Sequence, residues 1–351
     1  ALYPREEVMA KYVYKTKPYI HQVRALKKLL RQQYGGALLM DPRTGKTKVA
    51  IDFLSVKYQL REINRVLVIC PDKVIAVWEE QLAMHCPVPY ETYVWDKKER
   101  KTNGIPPPSR GRLLIVLTNY ETFQVPGPKI ATSKRTPDGE VIYRRSTKRG
   151  RIANRNEVRR WAGAKALGIL DESHRIKSPG SRAASVVITT HRDFPYRVIM
   201  TGTPITKKSR PHDAYQQWKW LNPERFAEFE DLADFKEYFG RWVKVPDIPV
   251  ALFKGSKHFS ELKELMEMDA FSIARDQWFD LPPIDVQEVP VELCRSARIY
   301  GDMAERMVTY SRQHTAEASI PLVKVLRLAQ ITGGFVTTDK GEVARVGTEK
   351  L

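Results

Sequence analysis

The sequence has few cysteines, no long apolar run and no pair of histidines spaced for a metal ion. Its 351 residues include three cysteines and seven histidines. The spacing of Cys70, Cys86 and Cys294 fits neither a disulfide framework nor a zinc knuckle, so we expect reduced thiols. No HExxH pair occurs, which argues against a zinc enzyme. No apolar run approaches the ~18 residues of a bilayer span and no secretory signal begins the sequence, so we expect no membrane partner.

Acidic residues are scarce relative to basic ones. Asp and Glu number 41 against 59 Lys and Arg, which gives a formal net charge of +18. Because no basic amphipathic helix stands out, this excess indicates nucleic acid ahead of a membrane surface as the partner. Hydrophobic residues at 42% and charged residues at 28% are typical of globular proteins and argue against collagen-like, coiled-coil or wholly disordered chains. At ~150 residues per domain, the length predicts about two domains.

Short apolar runs alternate with segments of helical periodicity between Gly35 and Gly202. This alternation predicts a parallel α/β sheet, and near-continuous apolar character predicts strands covered by helices on both faces. The predicted strands are Ala37–Met40, Val66–Cys70, Leu113–Leu117, Leu167–Leu170 and Arg197–Met200. The predicted helices are 19–33, 47–60, 74–85 and 181–190.

The character of the chain changes after Pro204, where helical patterns rich in aromatic residues replace the strands. An aromatic stripe is either core or a ligand site, and the large burial energy of aromatic rings favours core. We expect a helical extension packed on the sheet, a strand over 285–293, and two further helices over 296–313 and 322–331.

A basic segment interrupts the sheet pattern. Residues 129–160 contain eleven Lys or Arg against three acidic residues, a net charge of +8. The turn signal Thr136-Pro137-Asp138-Gly139 predicts a hairpin between strands at 129–135 and 140–145. Two interpretations stay open: a solvated loop or localisation tract, or a DNA contact. The candidates for DNA contact are Arg144, Arg145, Lys148 and Arg149.

A phosphate-binding loop follows the first predicted strand. The residues Asp41-Pro42-Arg43-Thr44-Gly45-Lys46-Thr47 lie between that strand and a helix, as a P-loop requires. Gly45 permits a tight turn, and successive amides, including those of Arg43 and Thr44, would point at phosphates. Lys46 would neutralise the β- and γ-phosphates of ATP, and Thr47 would ligate Mg²⁺. Met40 replaces the first glycine of the usual pattern, and a Gly-Lys-Thr triplet also occurs by chance.

Two adjacent carboxylates follow the strand Leu167–Leu170. Open α/β sheets bind ligands at the carboxyl ends of their strands, where Asp171 would hold Mg²⁺ and Glu172 would polarise an attacking water. The alternative is that both residues only cap the next helix. The P-loop in the same predicted sheet favours catalysis.

The order of the motifs resembles helicase superfamily two, and within it the SWI/SNF-like translocases on double-stranded DNA, including phage and bacterial relatives. The resemblance runs from about residue 18 to the end of the chain. The matching segments are Ile20-His21-Gln22, Pro71-Asp72-Lys73, Trp78-Glu79-Glu80, Thr118-Asn119-Tyr120-Glu121, Asp171–Lys177, Thr201-Gly202-Thr203-Pro204-Ile205, Trp220-Leu221-Asn222-Pro223 and Leu281-Pro282-Pro283. Departures are Arg43, where glycine is usual, Thr206-Lys207, and Ala274-Arg275.

The resemblance implies roles for further residues. Gln22 would read the adenine of ATP, and His174 would couple the nucleotide to Thr201, Gly202 and Thr203, although it is also interpretable as a structural histidine. Lys73, Thr118 and Asn119 would contact DNA phosphates without reading sequence. The family implies the cytoplasm of a bacterial or phage-infected cell as the location, or the nucleus of a eukaryote.

Members of the family hydrolyse ATP between two RecA-like lobes, and no second P-loop-like sheet or Arg-rich final motif occurs here. We expect a fragment with a RecA-like lobe over 1–204, a basic insert over 126–160, a helical extension over 205–320, and a linker over 321–351 toward a second lobe of the same protein. An arginine finger from that lobe contributes roughly 10³ to 10⁵ in rate, so the isolated chain should be a weak ATPase.

Two classes of function stay open at this point. The first is an ATP-driven translocase or remodelling motor on duplex DNA. The second is a nucleotide-dependent nucleic-acid-binding module without turnover. A strand-separating helicase or the motor subunit of a restriction enzyme shares the same lobe. The intact Lys46, Thr47, Asp171 and Glu172 favour a motor.

Overall fold

The chain forms two compact units, Ala1–Leu281 and Pro282–Leu351. The computed structural model describes residues 12–96, 104–124, 129–135, 141–145, 149–178, 180–205, 210–244, 251–274, 290, 292–294, 296–311, 314–317, 321–339 and 341–347. In this part of the chain, no helix combines the length and apolar content needed to cross a bilayer. All three cysteines are free thiols, as expected.

Eleven strands and eight α-helices are described in the first unit. The strands are β1 (Gly35–Met40), β2 (Arg65–Cys70), β3 (Tyr90–Val94), β4 (Leu113–Asn119), β5 (Lys129–Arg135), β6 (Val141–Arg145), β7 (Ala166–Asp171), β8 (Tyr196–Met200), β9 (Gly240–Val243), β10 (Leu252–Ser256) and β11 (Ala270–Ile273). The helices are α1 (Ile20–Arg31), α2 (Lys46–Gln59), α3 (Ile75–His85), α4 (Arg149–Trp161), α5 (Arg182–Val187), α6 (His212–Leu221), α7 (Leu232–Phe239) and α8 (Phe259–Asp269).

Seven of the strands form one parallel sheet in the order β11-β1-β8-β7-β2-β4-β3. All five strands predicted from apolar runs belong to it. The strands β3 and β11, at the two edges of the sheet, were not predicted from the sequence. In β3 polar residues interrupt the apolar pattern, and β11 is a four-residue strand directly after a helix. Neither carries the continuous apolar signal of a central strand.

Helices cover both faces of the sheet, as predicted for a RecA-like α/β fold. Along β2, the side chains of Val66 and Val68 belong to one hydrophobic core and those of Leu67 and Ile69 to the other, because successive side chains of a strand point to opposite faces. The first core includes residues of α1, α2 and α3. The second includes residues of α4, α5, α6, α7 and α8.

The segment after Pro204 packs its aromatic residues into the second core, which supports core over a ligand site. Tyr215, Trp218, Phe226 and Phe235 are buried and contact one another. This extension also contains strands: β9 and β10 form a hairpin, and β11 pairs with β1 in the main sheet. The predicted domain boundaries at 204 and 320 stay predictions.

The predicted basic hairpin is present as the antiparallel pair β5–β6. The last part of the same charged segment is the helix α4, whose Val158 and Trp161 are buried in the second core. The Trp161 indole donates a hydrogen bond to the Pro106 carbonyl at 2.9 Å. This part of the segment therefore belongs to the sheet domain as well as contributing positive charge.

The second unit has a small core of its own around Met303, Ile331 and Val336. Its elements are α9 (Ala297–Arg306), β12 (Val308–Ser311), β13 (His314–Glu317), α10 (Pro321–Thr332), β14 (Phe335–Thr337) and β15 (Val343–Arg345). The helix predicted over 322–331 is confirmed. The helix predicted over 296–313 ends at Arg306, because Met307 adopts a left-handed backbone and the next residues pair as a hairpin. The strand predicted over 285–293 lies mostly outside the described residues.

A buried ion pair attaches the extension to the first strand. The carboxylate of Asp269, at the end of α8, is fully buried and accepts hydrogen bonds from Arg225 Nε at 2.8 Å and Nη2 at 2.7 Å. The Trp218 indole at 3.2 Å and the Tyr34 hydroxyl, which precedes β1, donate to the same carboxylate. A carboxylate out of water is stable only with such a set of donors.

We predict that Arg225→Ala lowers the free energy of unfolding by about 3 kcal/mol, because it leaves the Asp269 charge buried without its cation. Urea denaturation of the purified chain measures the change. The matched control is Lys263→Ala on α8, which breaks an exposed pair with Glu267 at 3.7 Å and should cost less than about 1 kcal/mol. Equal losses in the two variants would contradict a structural role for the buried pair.

Candidate active site

The turn between β1 and α2 has the backbone of a phosphate loop. Gly45, just before the helix, has a φ of +86°, and a Cβ added there would lie 2.2 Å from Gln22 Nε2. Only glycine fits this position. Arg43 is also left-handed, with a φ of +68°, which explains why glycine is usual where this chain has arginine. The Thr44 hydroxyl donates to the Asp41 carbonyl at 2.7 Å and closes the turn.

Lys46 directs its ammonium group across this turn. Its Nζ donates to the carbonyl oxygens of Met40 at 2.8 Å and Asp41 at 3.3 Å. Burial lowers the pKa of Lys46, and the charges of Glu172, Asp171 and Asp41 oppose that shift. The predicted Mg²⁺ ligand Thr47 follows in the first turn of α2 and is partly exposed. The Lys46 ammonium group therefore lies close enough to Glu172, Asp171 and Asp41 to interact electrostatically with their carboxylates.

Gln22 lies directly behind the phosphate loop. Its Oε1 accepts a hydrogen bond from the Tyr19 backbone N–H at 3.0 Å, and its Nε2 donates to the Thr44 carbonyl at 3.2 Å. The ring of His21 lies 2.9 Å from the same carbonyl and stacks on Tyr19. His21 lies in the motif Ile20-His21-Gln22, but no role was predicted for it from the sequence. These contacts join the start of α1 to the loop, 22 residues later in the chain.

Asp171 is buried at the carboxyl end of β7. The Trp78 indole donates to its Oδ2 at 2.9 Å, and the Glu172 backbone N–H donates to its Oδ1 at 3.0 Å. The Tyr120 hydroxyl donates to the Asp171 carbonyl at 2.8 Å. Burial raises the pKa of Asp171, and the Trp78 hydrogen bond opposes that shift. The roles of Trp78 and Tyr120 are visible only in the tertiary structure.

Glu172 connects the segment after β7 with the segment after β8. Its Oε2 lies 3.2 Å from His174 Nδ1 and accepts a hydrogen bond from the Thr201 hydroxyl at 3.4 Å. The hydrogen bond from His174 lowers the pKa of Glu172, so the group is a carboxylate at neutral pH. His174 Nδ1 also lies 3.1 Å from the Thr201 hydroxyl, which accepts the Thr203 backbone N–H.

The capping interpretation of these carboxylates finds no support. Glu172 precedes the 3₁₀-helix Ser173–Ile176 with a φ of +51°, and its side chain makes no capping hydrogen bond to that helix. Gly202 lies close to the phosphate loop, since a Cβ added to it would come within 3.1 Å of Pro42 Cδ. The structure therefore brings together the predicted phosphate, carboxylate and coupling residues.

The residues predicted to contact DNA occupy several places. Lys73 is exposed in the 3₁₀-helix after β2, and Asn119, at the end of β4, donates to Asp72 Oδ1 at 2.7 Å. Thr118 is only 1% exposed, and its hydroxyl donates to the Trp95 carbonyl at 2.8 Å, so it does not face solvent here. The backbones of Arg144 and Arg145 lie on β6, and that of Arg149 begins α4. Lys148 lies outside the described residues.

The donor set fits a magnesium nucleotide. Mg²⁺ keeps several waters and needs only one or two protein oxygens, such as those of Asp171 and Thr47. Among the described residues, no three or more His, Cys, Asp or Glu side chains form a group that could hold a metal ion. The left-handed turn at Gly45, which a Cβ would fill, brings the loop to the N-terminus of α2, where backbone N–H groups favour an anion. The Thr44 N–H, predicted to point at the phosphates, donates instead to the Asp41 carbonyl at 3.3 Å.

Comparisons with known proteins agree with this geometry. The solved SWI2/SNF2 ATPase core of Sulfolobus solfataricus in complex with dsDNA is similar in fold, with 21% identity and a TM-score of 0.53, over 91% of this chain and 59% of that chain. CHROMATIN REMODELING 19 of Arabidopsis thaliana is 26% identical over 223 residues, which cover 60% of this chain and 25% of that protein. Switch 2 of the same plant is 24% identical over 226 residues, 61% of this chain and 22% of that protein.

This chain thus spans about a quarter of the length of the curated relatives it matches. The family model of the SNF2-related domain matches residues 20–293, which include the phosphate loop, both carboxylates and most of the extension. The chain therefore belongs to the SNF2-related domain family, within the SWI/SNF-like branch of helicase superfamily two that its motifs resemble.

Proposed function

We propose that this chain is the ATP-binding and ATP-hydrolysing lobe of a motor that moves along duplex DNA. The observation that carries the proposal is the convergence of Lys46, Asp171 and Glu172 at the carboxyl edge of one parallel sheet. Two similar proteins, CHROMATIN REMODELING 19 of Arabidopsis thaliana and the Sulfolobus solfataricus ATPase core in complex with dsDNA, support a motor on duplex DNA.

In this proposal each of these residues has a step in the reaction. Lys46 and the loop amides bind the phosphates, and Asp171 and Thr47 would hold Mg²⁺, which neutralises phosphate charge when bound. Glu172, ionised at neutral pH, accepts the proton of the attacking water. His174 and Thr201 orient its carboxylate. The Gln22 side chain uses one N–H to bond Thr44 and one acceptor position to bond Tyr19. Its second N–H and its second acceptor position would pair with an acceptor and a donor on the edge of adenine.

Hydrolysis at full rate requires a second lobe in this proposal. An arginine supplied by that lobe would stabilise charge on the transferring phosphate and contribute roughly 10³ to 10⁵ in rate. The chain by itself should therefore turn over slowly. Against a binding module without turnover, the ionised and hydrogen-bonded Glu172 favours hydrolysis. A strand-separating helicase or a restriction motor would use the same lobe, and strand-displacement assays on the longer protein distinguish those activities from translocation.

We predict that Lys46→Ala abolishes binding of ATP and ADP. The phosphates would lose the Lys46 ammonium group, which lies across the phosphate loop and donates to the Met40 and Asp41 carbonyls. Titration of a fluorescent nucleotide in Mg²⁺ buffer measures the affinity. Lys27→Ala, an equal change at an exposed position of α1, serves as the control and should bind normally. Unchanged affinity in Lys46→Ala would remove the loop from the nucleotide site.

We predict that Glu172→Gln leaves nucleotide affinity intact but slows hydrolysis by about 10²- to 10⁴-fold, since the amide cannot accept a proton from water. A single-turnover assay, with the chain in excess over labelled ATP, detects even a slow native rate. A variant that hydrolyses ATP at the native rate would show that Glu172 is not the base. No hydrolysis by the native chain, alone or with its second lobe, would favour the binding module.

We predict that the basic segment 129–160 contributes to DNA affinity by binding phosphates. For duplex DNA, removal of one Lys or Arg that neutralises a phosphate should reduce the slope of log affinity against log salt by ~0.9. Exchange of Arg144, Arg145, Lys148 and Arg149 for Ala should therefore flatten the slope without favouring any DNA sequence. The charge-matched control replaces the exposed Lys27, Arg31, Lys219 and Lys263. Fluorescence anisotropy across a salt series makes the comparison, and identical slopes for the native and the substituted chain would exclude these four residues from the DNA site.

A further inference from the structure

Gln217 in α6 is a fully buried amide that lies outside every motif of the sequence analysis. Its Oε1 accepts a hydrogen bond from the Ser173 hydroxyl at 2.6 Å. Its Nε2 donates to the carbonyl oxygens of Pro204 at 2.8 Å and Asp213 at 2.9 Å. Both donors of the amide and one acceptor position are thus used, so the side chain cannot turn without losing bonds.

The partners of Gln217 belong to the two loops that carry the catalytic and coupling residues. Ser173 stands between Glu172 and His174, and Pro204 follows Thr203. The same two loops also touch through Thr201, which contacts both Glu172 and His174. Gln217 is therefore a second connection between them. Two separate connections define the relative orientation of two loops, whereas one connection lets them pivot.

The loop after β7 leaves the sheet at this point, whereas the loop after β8 keeps one ladder hydrogen bond, from the Thr201 backbone N–H to the Leu38 carbonyl at 3.1 Å. Glu172 leaves β7 in a left-handed conformation, and the next four residues form a 3₁₀-helix. Their positions depend on side-chain hydrogen bonds rather than on a strand ladder. The helix α6 is a firm support because Trp218 and Trp220 bury it against the sheet. The helix α6 also contacts the Glu172 loop a second time, because the Asp213 carboxylate lies 3.8 Å from the ammonium group of Lys177.

We propose that Gln217 is a positioning residue for ATP hydrolysis, which holds the Glu172 loop and the Thr201 loop at a defined separation. It acts through Ser173 and Pro204, and not by contact with the reacting atoms. This role rests on the proposed function, because it concerns the same catalytic centre. Loss of the link misplaces the Glu172 carboxylate while leaving the phosphate loop as it is.

Gln217→Met removes all three hydrogen bonds and keeps the length of the side chain. Because a displacement of about 1 Å costs on the order of 10² in rate, we expect single-turnover hydrolysis to slow between tenfold and a hundredfold. The nucleotide Kd should stay within about twofold, since the phosphate loop does not touch Gln217. Ser173→Ala removes only one of the three hydrogen bonds of Gln217 and should slow hydrolysis similarly. It replaces Gln217→Met as the test variant if Gln217→Met folds poorly.

The matched control is Gln216→Met, the same change one residue earlier. Gln216 is also buried, and among the described residues its Oε1 has no hydrogen-bond partner. It should keep the native rate. The double variant Ser173→Ala, Gln217→Met should be no slower than the slower single variant, because both changes break one link. Additive slowing, a native rate in Gln217→Met, or equal slowing in Gln216→Met would overturn the proposal.

Hydrogen–deuterium exchange tests the link without hydrolysis. In Gln217→Met, peptides covering 172–177 and 201–205 should exchange faster together, while peptides from the centre of the sheet should not change. Gln216→Met should leave both segments as they are. If the native chain binds no nucleotide, the proposed function is overturned but the Gln217 link is not. The exchange data then show whether Gln217 connects the two loops. Unchanged exchange at both loops overturns the link itself.

Discussion

The parallel pairing of β8 between β1 and β7 is the constraint on which the site depends. In this register Met200 lies opposite Leu38 on one side and opposite Asp171 on the other. The three chain segments that follow these strands therefore leave the sheet at the same edge, with β1 continuing two residues further, to Met40. The Thr201 backbone N–H continues the ladder by donating to the Leu38 carbonyl at 3.1 Å. The phosphate loop, the carboxylates and the coupling threonine are neighbours because their strands are.

Beyond the ends of the strands, side-chain hydrogen bonds add to short backbone turns, such as those from the Thr44 N–H to the Asp41 carbonyl at 3.3 Å and from the Arg175 N–H to the Glu172 carbonyl at 3.0 Å. Gly45 and Glu172 both adopt left-handed conformations at the points where the chain leaves regular structure. Each conformation is held from outside, by Gln22 behind the phosphate loop and by His174 and Thr201 around the carboxylate. A buried polar group that loses its partner costs about 1–3 kcal/mol, so these loops have few alternative arrangements.

The described parts of the extension in the first unit, 210–244 and 251–274, contact both the sheet and the loops after β7 and β8. The helix α6 supplies Gln217 and Asp213 to the two catalytic loops, and Trp218 of the same helix donates to Asp269. Asp269 in turn pairs with Arg225 and precedes β11, the strand beside β1. The helix α6 therefore contacts the loops after β7 and β8 and, through Trp218, also contacts Asp269, the residue that precedes β11.

Local signals determined much of this protein. Continuous apolar runs predicted the five central strands, and the Gly45-Lys46-Thr47 triplet and the Asp171-Glu172 pair predicted phosphate and metal chemistry, because both motifs depend on residues adjacent in sequence. The edge strands β3 and β11 escaped prediction, since an edge is half exposed and lacks the apolar signal. The partners Trp78, Tyr120 and Gln217 lie between 44 and 93 residues from the motif residues that they bind. Only the tertiary structure decided those contacts, because burial and hydrogen bonding between distant segments arise from the packing of helices on the sheet and leave no periodic pattern in the chain.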